Sequence, residues 1–259
     1  METFETLSPY KVGTRTILSR LLWDIQFESW RSRDKLKQWK NRHLGEKAVI
    51  VCNGPSLLET PLETLDGIFT FGLNKINLLF DKSTYRPSCI VAVNSFVLEQ
   101  NAEFFNETDI PLFLDKLATK HVGHRPNIAY LHFYPALGFA RDCSMSMGKG
   151  YTVTFVAMQL AYHMGFSKIA LVGCDHSFAT KGPSNATVTS EDKDPNHFDP
   201  NYFAGGVQWH LPDLEGSEKA YALARDINDA SGRKIYNCTV GGKLETFERM
   251  DLDEFIALT

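Results

Sequence analysis

The sequence is short of the features that mark secreted, membrane-spanning or metal-templated proteins. Its 259 residues hold five cysteines, Cys52, Cys89, Cys143, Cys174 and Cys238, widely spaced and without a Cys-x-x-Cys pair. An odd, scattered set excludes a disulfide framework and offers no structural zinc spacing, so the thiols read as reduced core residues. No window holds about 18 uninterrupted apolar residues, and the first residues lack a basic stretch followed by an apolar core. Secretion and membrane spanning are not expected, and a cytoplasmic location is. A strong charge of one sign is also absent: the formal net charge is -4. Nothing global draws the chain to nucleic acid, which is not expected as a partner.

Familiar catalytic signatures are missing as well. There is neither a Gly-x-Gly-x-x-Gly run nor a Walker loop with its Gly-Lys-Ser or Gly-Lys-Thr, which disfavours dinucleotide oxidoreductases and P-loop hydrolases. The sequence contains no His-Glu-x-x-His and no Gly-x-Ser-x-Gly. Asp192-Lys193-Asp194 has Asp-x-Asp spacing but adjoins Glu191 in a polar stretch and reads as solvated charge. His176, His197 and His210 are irregularly spaced, so no metal is expected.

What is present is enough apolar residue for a sizeable core, 43% against 22% charged. From Lys11 to Lys47 the chain reads as helical and locally basic, with Leu18, Leu21, Leu22, Ile25 and Trp30 at roughly helical spacing. We treat 1–46 as a basic helical extension, packed on the domain or on another subunit. The alternative is an amphipathic surface for an anionic membrane or an acidic partner. Residues 47–259 then form the main domain.

Lys47 to Cys52 is a β-branched apolar run ending in Asn-Gly-Pro-Ser, which predicts a buried strand and a turn. Further strands are predicted at Leu65 to Leu73, Ser88 to Val93 and Pro111 to Leu114, with a helical stretch from Ser95 to Phe105. Thr152 to Met164 predicts a helix stopped by Gly165-Phe166, and Lys168 to Gly173 a buried strand. Leu214 to Ala230 reads as helix, Lys234 to Cys238 as strand and Leu252 to Leu258 as helix. The polar stretch Ala179 to Tyr202, extended to about residue 210, has the length of a functional lid. Strands alternating with helices predict an α/β fold, doubly wound around a mostly parallel sheet.

Ligands of such sheets bind beyond the carboxyl ends of the strands, where strand order reverses. Asn53-Gly54-Pro55-Ser56 follows the first strand, Asn74 the second, Asn94-Ser95 the third, and Asp175-His176-Ser177 the strand after Gly165. Glycine permits close backbone approach, Ser56 can cap the following helix, and free N–H groups there attract phosphate. The first loop is therefore expected to bind the phosphate portion of a nucleotide or related diphosphate. The competing reading is that these residues only cap helices and make turns. His176 at a strand end and His210 before a helix are the candidate acid–base groups, because imidazole titrates near neutrality.

The order and spacing of Asn53-Gly54-Pro55-Ser56-Leu57, Asn74, Val93-Asn94-Ser95 and Gly165-Phe166-Ser167-Lys168-Ile169 before Gly173-Cys174-Asp175, with a His before the late helix, carry a family resemblance. The chain resembles bacterial family 42 sialyltransferases and their relatives, among them flagellin-modifying and 6-hydroxymethyl-dihydropterin pyrophosphokinase-like proteins. The likeness runs from about Lys47 to Thr239. It implies a Rossmann-like, GT-A-variant fold. It also implies metal-independent transfer of a nonulosonic acid from a CMP-activated donor to a glycan hydroxyl, in surface-glycan or glycoconjugate assembly.

On this resemblance Asn53, Gly54, Pro55, Ser56, Asn74, Asn94 and Ser95 contact the nucleotide, Thr152 or Thr154 lies near the donor, and His210 is the general base. Tyrosines that hold the leaving phosphate in those enzymes are replaced here by His176-Ser177-Phe178, leaving His176, Ser177 or Lys181 to serve. The alternatives are an ATP-dependent diphosphokinase acting on a pterin-like alcohol and a non-catalytic nucleotide-binding module.

Overall fold

The computed structural model describes residues 8–180 and 182–259. Two helices come first, α1 (Pro9–Asp24) and α2 (Phe27–Trp39). The sequence predicts one helical region here. The break at Ile25-Gln26 is fixed by the indole N–H of Trp30, which donates to the Asp24 carbonyl at 2.8 Å.

Then come β1 (Lys47–Val51), β2 (Phe69–Leu73) and β3 (Cys89–Ala92). Next are the short helices α3 (Ser95–Gln100) and α4 (Ala102–Glu107), which divide the predicted Ser95 to Phe105 stretch at Asn101. β4 (Leu112–Asp115), β5 (Ile128–Leu131) and the two-residue strands β6 (Phe133–Tyr134) and β7 (Met147–Gly148) follow. α5 (Val153–Met164) and β8 (Lys168–Val172) form the predicted helix–strand unit. The chain ends with β9 (Thr187–Thr189), β10 (Gln208–His210), α6 (Leu214–Ala230), β11 (Lys234–Asn237), β12 (Glu248–Arg249) and α7 (Leu252–Ala257).

Eight strands make one sheet in the order β12-β11-β8-β1-β2-β3-β4-β5, with every pairing parallel. The fold is a doubly wound α/β sheet. β1 lies in its middle, and Ala48 through Val51 are wholly buried, as a parallel strand covered on both faces must be. Side chains alternate between faces. Ala48 and Ile50 join Phe71, Leu160 and Met164 on one side; Val49 and Val51 join Ile90, Leu98 and Phe255 on the other.

α5 is buried around nearly its whole circumference, which is why its sequence is apolar without a clear stripe. It ends at Gly165, whose φ of +99° puts it in the left-handed region that favours glycine. α2 lies along the outer strand β5. The Ser32 hydroxyl accepts from the Tyr130 N–H at 2.9 Å, and Lys35 Nζ donates to the Ile128 carbonyl at 2.6 Å. These bonds satisfy backbone groups that an open edge would leave free.

Candidate functional site at the strand switch

After β1 the chain winds outward through β2 to β5; after β8 it winds the other way through β11 to β12. The loops following β1 and β8 therefore part at one point on the carboxyl edge of the sheet, the position where such folds hold ligands. Gly54 N–H donates to the Gly173 carbonyl at 2.9 Å, tying the loops together. A Cβ on Gly54 would stand 1.7 Å from Asp175 Oδ2, so only glycine fits.

The Asp175 carboxylate accepts from the Ser56 N–H at 3.2 Å and the Ser56 hydroxyl at 3.0 Å. The donors that the sequence offers to a phosphate are thus engaged by a carboxylate of the protein itself. A phosphate dianion at Ser56 would meet that like charge. Behind it, Lys243 N–H donates to the Asp175 carbonyl at 2.8 Å, a role for the loop after β11 that sequence reasoning missed.

Two amide oxygens nearby lack a donor, although the Asn74 side chain also lies within reach of the buried Tyr202 hydroxyl. Oδ1 of Asn53, at the end of β1, and Oδ1 of Asn74, at the end of adjacent β2, are buried without a hydrogen-bond partner among the described residues. Asn74 also adopts φ +50°, a left-handed conformation that Asn tolerates better than most residues. Buried acceptors without donors are costly.

The segment 182–210 packs over these strand ends. β9 and β10 pair in antiparallel fashion. His197 stacks on Tyr202 at 3.9 Å and Phe203 on Trp209 at 5.4 Å. Phe198 N–H donates to the Asn53 carbonyl at 2.9 Å. Buried Lys75 donates to the Tyr202 carbonyl at 2.7 Å and to Gln100 Oε1 at 2.8 Å, with its ammonium 4.9 Å from the Phe203 ring centre. Burial pulls its pKa down to about 8, against the opposing charge of Asp194.

The other sequence-predicted residues fall into separate groups. Asn94 caps α3, its Oδ1 accepting from Phe96 N–H at 2.9 Å, and Ser95 is exposed beside it. His210, half-buried at the end of β10, sits with its ring 4.7 Å from that of Phe96. Burial, and then the charge of Lys149, lower its pKa, which keeps the imidazole neutral near pH 7. Thr152 caps α5, and Thr154 Oγ1 lies 3.7 Å from Cys52 Sγ. His176 has φ +52° and its Nε2 lies 3.1 Å from Glu218 Oε1, apart from the Phe96–His210 pair. Ser177 is half-buried on the same loop as His176. Lys181 lies outside the described residues.

A further group escaped the sequence reading. Asp115, at the end of β4, receives Lys149 Nζ at 2.9 Å. His132, at the end of β5, has Nδ1 2.5 Å from Ser146 Oγ and an Nε2 without a partner among the described residues, and its pKa is lowered to about 4 by burial, then by Lys116 and Arg20. The signal available was Asp115-Lys116 at a strand end. A cavity of about 430 Å³ also opens beyond β11 and β12, between Thr60, Thr239, Gly241, Arg249 and Asp251. Among the described residues no three His, Cys, Asp or Glu side chains converge as a metal site.

Residues 24–181 match the family model of 6-hydroxymethylpterin diphosphokinase MptE-like proteins. The chain belongs to this MptE-like family. The match takes in α2, β1 to β8, Asn53, Asn74 and Asp175, and stops before His210. The MptE-like chain is also similar to a solved structure of the MAf glycosyltransferase from Magnetospirillum magneticum AMB-1, with a TM-score of 0.52 and 16% identity over 91% of this chain. It spans 40% of that chain's length, and the likeness is one of fold. No curated protein matches the sequence.

Proposed function

We propose that this MptE-like chain is a transferase that binds a nucleotide-activated donor at the strand switch and moves its sugar to a glycan hydroxyl without a bound metal. The donor of this reading is a CMP-linked acidic sugar. The observation that carries it is the pair of buried, unpartnered amide oxygens of Asn53 and Asn74 on neighbouring strands. A nucleoside's amine and hydroxyls supply the donors those oxygens need. The fold shared with a glycosyltransferase supports the choice of group transferred.

In this reading Asp175 holds the Ser56 loop, the 182–210 segment lifts from the strand ends, and the donor's nucleoside lies across Asn53 and Asn74. His210, neutral at pH 7, takes the proton of the acceptor hydroxyl as its oxygen bonds the anomeric carbon. The bond from that carbon to the phosphate oxygen breaks, and CMP leaves with the electron pair. Burial and then the charge of Lys149, held by Asp115 at 2.9 Å, keep the His210 imidazole neutral. The second reading, transfer of diphosphate from ATP to a pterin-like alcohol, draws on the family's description.

CMP release from a CMP-nonulosonic acid donor in chelator tests the proposal against AMP release from ATP with magnesium. His210→Gln is expected to lower turnover by about 10²- to 10⁴-fold with thermal unfolding unchanged. The wild-type rate should rise with pH only through a range below the ordinary imidazole pKa and be flat above it. Lys149→Met should move that rise upward. AMP release alone, or full activity in His210→Gln, would refute the corresponding assignment.

A further inference from the structure

α1 faces the wrong way for a helix of a water-exposed surface. Its inward side carries Trp23, 2% exposed, Ser19 and Arg20. Arg20 Nη1 donates to Ser146 Oγ at 3.0 Å, Lys116 Nζ donates to Ser19 Oγ at 2.9 Å, and that ammonium lies 5.9 Å from the Trp23 ring centre. These contacts fix the helix's rotation. The side turned to solvent holds Tyr10, Ile17, Leu18, Leu21, Leu22 and Ile25, each at least half exposed. Phe27 and Trp30 of α2 continue it, 76% and 67% exposed. Of the fifteen large apolar side chains exposed among the described residues, these eight lie within residues 10–30, a concentration that marks an interaction surface.

The surrounding charge identifies what it meets. Residues 8–33 carry Lys11, Arg15, Arg20, Arg31 and Arg33 against Asp24 and Glu28. Asp24 is taken up by Arg20 and Arg33, and Glu28 lies 2.8 Å from His124. Lys11 and Arg15 are exposed, and the Arg31 guanidinium rests 5.6 Å from the Phe27 ring centre. The apolar face is thus bordered by cations, while the nearby carboxylates are engaged within the protein. Two copies meeting on this face about a two-fold axis would set those cations against each other. An anionic lipid surface takes the apolar side chains into its acyl boundary and pairs the cations with headgroups. α1 is about 24 Å long at 1.5 Å per residue, and no helix among the described residues is long and apolar enough to cross a bilayer. The helix would therefore lie in the interface plane.

We propose that the outward face of α1, with Phe27 and Trp30, docks this protein on anionic lipid membranes. The test is co-sedimentation of the full chain with vesicles of phosphatidylcholine alone or mixed with phosphatidylglycerol. The wild type should pellet with the anionic vesicles, weakly with the neutral ones, and less as salt is raised. Leu21→Glu with Ile25→Glu should weaken binding by about tenfold or more. Lys11→Gln with Arg15→Gln should weaken it roughly tenfold on anionic vesicles only. All four positions are solvent-facing, so unfolding temperatures should stay at the wild-type value. A wild type that remains in the supernatant with anionic vesicles, or variants that pellet as it does, overturns the proposal. So does light scattering that shows a wild-type dimer split by Leu21→Glu with Ile25→Glu, which would give the face to a second copy.

Discussion

At Gly54 the absence of a side chain serves the protein rather than a ligand. Its hydrogen sits where a methyl would strike the Asp175 carboxylate, and that carboxylate clamps Ser56 through two hydrogen bonds. Gly54→Ala must therefore displace Asp175 or the loop and should cost more than about 2 kcal/mol of stability. Urea unfolding measures this directly; an unchanged midpoint would mean that the loop gives way freely. The same geometry separates the roles of neighbouring residues. Ser56 and Asp175 hold the two loops together, whereas the buried amide oxygens of Asn53 and Asn74 have no partner among the described residues, which is why the proposed nucleoside site is placed on them.

Among the elements, the 182–210 segment depends on Lys75. Burial lowers the pKa of this lysine to about 8, while in the unfolded chain it stands near 10.4. Between those values the unfolded state binds more protons than the folded one, so stability rises with pH across that window. The penalty for the buried charge is complete below the window and gone above it. Lys75→Met should flatten the rise in urea midpoint over this range, whereas an equal rise in the variant would place its origin elsewhere.

Elements with strong local signals were legible in the sequence. β1 and β8 are β-branched runs, α5 lies between Thr152 and Gly165, and α6 runs from Leu214 to Ala230 as its pattern predicts. β5 was not, because Ile128-Ala-Tyr-Leu is only four residues long and follows a polar His-Arg-Pro stretch. Its edge is completed by Ser32 and Lys35 from α2, nearly a hundred residues earlier. β12 spans two residues and exists through pairing with β11. The site was half legible for the same reason. Asn53, Asn74 and Asp175 could be placed at strand ends, but the contact between Ser56 and Asp175 joins residues 119 apart and depends on β1 lying beside β8.

On the scale of the whole molecule, a single parallel sheet buried on both faces brings the loops of β1, β2 and β8 to one edge. The 182–210 segment closes over them, and α2 covers the outer strand. On the proposed function, Asn53 and Asn74 receive the nucleoside of a donor bound without metal. Calorimetric titration of CMP in the presence of a chelator tests it most directly, with the wild type beside Asn53→Ala and Asn74→Ala. Metal-free CMP binding weakened about tenfold in each variant, the worth of one buried hydrogen bond, is the predicted result. Absence of CMP binding, or binding of ATP only with magnesium, would contradict it.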